Sequence, residues 1–159
     1  NMKQNLTTNP SDLKTMLKKL EDFFELYLVT KAPFSLPSNW KEVIVKVAPW
    51  LTLVVIILAL PLILAVLGLG AILAPLSFLG GVSAGVTSLL TTIITAVSLV
   101  LEAIALPGLF KRTKQAWYLV YYSTLLASLT NIISFNLGGF VIGTVLSLYV
   151  LFQIKSYYK

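Results

Sequence analysis

The stretch VAPWLTLVVIILALPLILAVLGLGAILAPLSFLGGVSAGVTSLLTTIITAVSLVL, residues 47–101, decides the fold. It runs from Lys46 to Glu102 without one charged side chain. About 20 apolar residues in a helix cross the hydrocarbon core of a bilayer. The stretch is therefore long enough for two crossings and a connection. A second uncharged run, residues 115–154, separates Lys114 from Lys155 and has room for two crossings and a tight turn. Gly68, Gly70, Pro75, Gly80 and Gly81 punctuate the first run, and Asn136, Gly138 and Gly139 the second. Residues of this kind break helices and permit turns. The pattern predicts an all-α integral membrane protein with four transmembrane helices arranged as two hairpins. The expected helices cover about 48–68, 83–106, 116–135 and 138–155. Pro49 suits a helix start or a kink, and Pro61 should bend the first crossing near its middle.

Composition supports the same reading. Hydrophobic residues make up 57% of the chain and charged residues 11%, where soluble domains carry roughly 25% charge. So little polar surface would not keep a soluble domain dissolved, whereas a lipid-facing surface removes the need. Met2 is expected to be the natural start, with Asn1 extraneous to it, and no secretory signal peptide is expected.

Lys and Arg set the orientation. Lys3, Lys14, Lys18, Lys19, Lys31, Lys41 and Lys46 precede the first crossing. Lys111, Arg112 and Lys114 lie between the second and third, and Lys155 and Lys159 follow the fourth. The other two connections are uncharged. Four crossings place all of these cations on one side, so both termini are expected to be cytoplasmic and the protein multi-pass in a bacterial-type plasma membrane. Trp40, Trp50, Trp117, Tyr157 and Tyr158 fall near the same side, where amphipathic rings anchor at headgroup level.

Residues 1–38 form a separate N-terminal unit ahead of the transmembrane domain at 39–159. Asn9, Pro10 and Asp12 read as a helix start. Leu13, Met16, Leu17, Leu20, Phe23, Phe24, Tyr27 and Leu28 recur at helical spacing, with Lys14, Lys18, Lys19, Glu21, Asp22 and Glu25 on the other face. This amphipathic helix is too charged to span and is expected on the membrane surface or against a partner. The net charge of +6 lies beside apolar segments. Anionic lipid headgroups are thus the expected partner, and nucleic acid is not.

The chain has no cysteine and no histidine, which removes thiolate chemistry, the commonest general base and the commonest metal ligand. No phosphate loop, paired catalytic carboxylates or serine triad is present, and a Ser–Lys pair would need a lysine inside an apolar run. No enzyme activity, cofactor or metal is expected. Glu102 alone is acidic within an apolar span. It reads first as a partner of Arg112 or a neighbouring lysine, and second as a proton or cation site at the inner mouth of a pathway. Asn131 reads as a helix-packing amide. Gly139, Gly143 and Ser147, and Gly81 with Gly85, are small residues at helix-packing spacing. Ser83, Thr87, Thr91 and Thr95 fall four apart, as a close helix contact or a pore lining would require. The expected function is that of a small non-enzymatic membrane protein acting by helix packing, in a structural, accessory or membrane-shaping role. It would work as a homo-oligomer or as a subunit of a membrane complex. The alternative is an oligomeric channel or transporter lined by the Ser/Thr stripe.

Overall fold

The computed structural model describes residues 10–159, without the side chains of Pro10, Leu62, Ile63, Val66, Leu67, Gly70, Ala71, Leu73, Ala74 and Ser77. The expected N-cap Asn9 lies outside this range. The described residues are helices joined by turns. α1 covers Pro10–Glu25 and continues as a π-helical turn over Leu26–Thr30. After a linker containing Pro33 and Pro37, α2 runs over Ser38–Ser77, α3 over Val82–Phe110 and α4 over Lys114–Ile133. A π-helical stretch, Gly139–Val145, leads into α5 at Leu146–Gln153. The chain ends in a 3-10 turn at Lys155–Tyr157.

Among the described residues two helical stretches are long and apolar enough to cross a membrane: Ser38–Pro61 within α2, and α3. The third and fourth expected crossings coincide with α4, in which polar residues are interspersed, and with the shorter apolar stretch Gly139–Gln153. The largest departure from expectation is in α2. The glycines and prolines from Gly68 to Gly81 were expected to form the connection, yet α2 is one helix of 40 residues and the chain reverses only at Phe78–Gly81. Where no water can solvate free peptide groups, continuing the helix satisfies them, and glycine and proline are tolerated within it. At 1.5 Å rise per residue α2 is about 60 Å long. α3, with 29 residues, and α4, with 20, span about 43 and 30 Å. The α2–α3 hairpin therefore outreaches α4 by about 13 Å.

Both short turns after α3 and α4 are Schellman motifs. After α3, Thr113 N–H donates to Gly108 O at 2.9 Å and Arg112 N–H to Leu109 O at 3.2 Å. After α4, Asn136 N–H donates to Asn131 O at 2.9 Å and Phe135 N–H to Ile132 O at 3.0 Å. The left-handed position that glycine usually fills is held by Arg112 at φ 54° and by Phe135 at φ 52°.

α2 packs on α3, α3 on α4 and α4 on α5, while α2 and α5 are not a packed pair. The helices thus form an open arc. Its core lies at one end, the end that carries Arg112 and Lys155, hereafter the basic end. Val45, Ala105, Leu109, Ala116, Trp117, Tyr121, Leu148, Leu151, Phe152, Ile154 and Tyr158 are buried there. Toward the far end the described apolar side chains are mostly exposed, among them Leu79, Val82, Phe135 and Leu137. α3 and α4 approach closely where they turn. A Cβ on Gly108 would lie 2.5 Å from Thr113 Oγ1 and 2.7 Å from Ala116 Cβ, whereas one on Gly143 would meet nothing within 4 Å. Gly108→Val should therefore cost about 1–3 kcal/mol, and Gly143→Ala should leave stability unchanged or raised. Thermal unfolding in detergent, followed by circular dichroism, measures both.

Candidate functional site

The contacts that bring distant segments together meet at the basic end. Trp117 is 1% exposed, and its indole N–H donates to Leu151 O at 2.9 Å. Its ring stacks on Tyr121 at 5.4 Å and meets Phe152 edge-on at 5.2 Å. The Lys155 ammonium lies 5.3 Å above the Trp117 ring and forms ion pairs with Glu21 at 2.9 Å and Glu25 at 2.5 Å. Glu21 and Glu25, one turn apart on α1, can share one cation because i and i+4 fall on one face. Tyr118 OH also donates to Glu21, at 3.1 Å. Phe24 and Leu28, next on the same flank, pack against the core.

The linker is held by amides and hydroxyls. Gln153, 3% exposed, donates from Nε2 to Leu28 O at 2.9 Å and accepts from Leu36 N–H at 3.4 Å. It thereby meets a carbonyl released where the π-helical turn ends. Tyr149 OH donates to Phe34 O at 2.7 Å. α1 thus docks on its own chain, through one flank of its apolar face. The other flank, Leu13, Met16, Leu20, Phe23 and Tyr27, stays exposed.

Two expected interface anchors belong instead to the core. Trp117 has its N–H satisfied by the protein. Tyr158 is 5% exposed, beneath a C-terminal turn in which Lys114 N–H donates to Lys159 O and Lys159 N–H to Arg112 O. Trp40 and Trp50 are exposed at 63% and 60%, as an anchor would be. Tyr157 is half-buried, with its hydroxyl 3.5 Å from Ser38 O.

The expected pair of Glu102 with Arg112 does not form. Arg112 bonds Glu42 at 2.7 Å, and Glu102 is approached by Ser123 Oγ at 3.3 Å. Glu102 lies eight residues inside α3 from Phe110, about 12 Å of helix rise, which is farther than an arginine side chain spans. Asn131 and Gly139 come together at the α4–α5 turn, where a Cβ on Gly139 would lie 2.9 Å from Asn131 Oδ1. Gly85 is buried against the Phe78 ring of its own hairpin, and Gly81 takes φ 104° at the start of α3. Gly143 and Ser147 are exposed. On the hydroxyl stripe Ser83 and Thr95 are exposed, while Thr87 and Thr91 are half-buried. Thr91 Oγ1 donates to Ser88 O at 3.0 Å, so its proton is used within its own helix. Among the described residues no cluster of three or more acidic side chains could hold a metal.

Sequence reasoning missed Lys155 and Gln153. The available signals were the four-residue spacing of Glu21 and Glu25 and the isolation of one amide within an apolar segment. No family model matches the chain, and no curated protein or solved structure is significantly similar to it.

Burial alone would lower the Lys155 pKa, but its hydrogen bonds to Glu25 and Glu21 and their charges outweigh this, and the net shift is upward from 10.5. A raised lysine value means that its stabilisation is complete below the unfolded pKa and is lost as pH rises through the folded one. Docking of α1 through Lys155 should therefore persist at neutral pH and weaken only above about 10.5. Lys155→Met leaves Glu21, 16% exposed, without its cation, at a cost of roughly 1–3 kcal/mol. Tryptic cleavage after Lys31 should accelerate roughly tenfold. Arg112→Gln, which removes a solvent-exposed pair, should change that cleavage rate little.

Proposed function

We propose that this chain is a non-enzymatic, four-crossing membrane protein that works by helix packing within the bilayer, as an assembled structural or accessory component. The observation that carries this reading is the mismatch between a core confined to the basic end and a far end whose apolar side chains have little cover from their own chain. Lipid can solvate such surfaces, and small residues on them let a second backbone approach. Gly143 is exposed on the fourth helical stretch, and a Cβ there would meet nothing within 4 Å. Phe135 adds to this. It is 89% exposed and occupies a left-handed position where glycine would be less strained. A bulky aromatic there is explained by a contact outside the chain.

In this reading the basic end is cytoplasmic, since the turn at Lys111–Lys114, the ion pairs of Arg112 and Lys155, and Lys159 lie there and cations favour that side. α1 lies along the membrane surface beside the helices. Its docked flank holds it to α5, and its exposed apolar flank enters the headgroup boundary, with Lys14, Lys18 and Lys19 available to anionic lipid. Bulk concentrated at one leaflet is also the shape that favours curvature, so membrane shaping is a specific form of the proposal.

Two measurements test it. The chain contains no cysteine, so single cysteines report sidedness cleanly. Cysteines replacing Thr113 and Ser156 should react with an impermeant maleimide from one side, and those replacing Leu79 and Leu137 from the other. Thr113 and Leu79 reacting from the same side would refute four crossings. Native mass after extraction into lipid nanodiscs should show multiples of the 17.4 kDa chain or a stable foreign partner. Gly143→Leu should reduce the assembled fraction. A single copy alone, before and after that substitution, would contradict the packing role.

A further inference from the structure

The open side of the helix arc is a groove of about 710 Å³ between α2 and α5, floored by α3 and α4. Its walls are mostly aliphatic. Trp40 and Leu51 stand on the α2 side, and Thr52, Thr124 and Ser147 are among its few polar groups. Glu102 also lines it. That carboxylate has no basic partner among the described residues: Arg112 is held by Glu42, and Lys155 by Glu21 and Glu25. Its hydrogen-bond partner among the described residues, Ser123, has a single hydroxyl proton. The Val120 carbonyl lies 2.9 Å from that hydroxyl and Glu102 lies 3.3 Å from it, so the carbonyl has the better claim. A carboxylate left this way in an apolar groove is neutralised by a proton when the groove is empty and attracts a cation as its occupant.

The occupant can be narrowed by charge. A lipid acyl chain would fill the groove and leave the carboxylate uncompensated. A second copy of this chain has no basic residue from 47 to 110 or from 115 to 154, so its helices bring no cation to this depth. A small hard cation takes six or more oxygen ligands, and a single carboxylate among aliphatic walls does not supply them. A bulky apolar cation satisfies both the walls and the charge, and the groove is of the size that holds such molecules.

We propose that the groove between α2 and α5 binds amphipathic organic cations, with the cationic centre at Glu102 and the apolar body against the aliphatic walls. This goes beyond the packing role and does not depend on it, because the groove is formed within one chain.

Tetraphenylphosphonium and tetraphenylborate, alike in shape and opposite in charge, test it. Equilibrium dialysis would be run on the full chain in nanodiscs, with empty nanodiscs subtracted. The wild-type chain should bind tetraphenylphosphonium saturably and tetraphenylborate not at all. Glu102→Gln, which keeps the side-chain shape, should weaken cation binding about tenfold or more. Ala48→Phe, which fills the groove from α2 and leaves Glu102 in place, should weaken it comparably, with unchanged circular dichroism showing that both variants are folded. Equal binding of the two probes, binding unchanged by Glu102→Gln, or no binding above empty nanodiscs would each overturn the assignment.

Discussion

Trp117 donates its indole N–H to the Leu151 carbonyl at 2.9 Å, and three other side chains are fastened round that contact. Phe152 meets the ring edge-on, Tyr121 stacks on it, and Lys155 caps it with a cation. The same lysine holds Glu21 and Glu25 of α1. A single point therefore joins α4, α5 and the N-terminal helix. Desolvation strengthens each element of it, because a cation over an aromatic face and a charge-assisted hydrogen bond both gain when water is excluded. One cost is visible nearby: Tyr121 OH is buried without a hydrogen-bond partner.

The helical architecture was legible because charge was missing. The uncharged run 47–101 falls in α2 and α3, which hold the two stretches apolar enough to cross a membrane among the described residues, and the cations after it mark the turn at Lys111–Thr113. Helix limits were less legible. Gly68 and Gly70 read as a break by rules learned in water, but an apolar environment penalises an open peptide group more than it penalises glycine. Trp117 was placed at the membrane interface because tryptophan serves interface and core equally well. Only the distant Leu151 carbonyl decides between them, and sequence spacing does not reveal it. The partner of Arg112 was misjudged for a related reason. A Schellman turn reverses the chain there and sets the guanidinium beside Glu42 of α2, which sequence proximity to Glu102 obscures. The amphipathic period of α1 was plain, but nothing in it foretold that one apolar face divides into a docked flank and an open one.

The open far end follows from the clasp at the other. Helices fastened near one end of a hairpin are free to diverge with distance from it, and here the longer α2–α3 hairpin continues past the end of α4. The groove beside Glu102 has the same origin, since α2 and α5 are not a packed pair. Local stability follows buried contact. The account therefore makes the basic end the rigid part and assigns the far end to whatever surrounds it.

Pulsed dipolar spin-label distances in single-copy nanodiscs test this most directly. One label pair would replace Lys46 and Ser156 at the basic end, and another would replace Leu79 and Leu137 at the far end. The account predicts a narrow distance distribution for the first pair and a broad one for the second. Equally narrow distributions, or a broad one at the basic end, would contradict it.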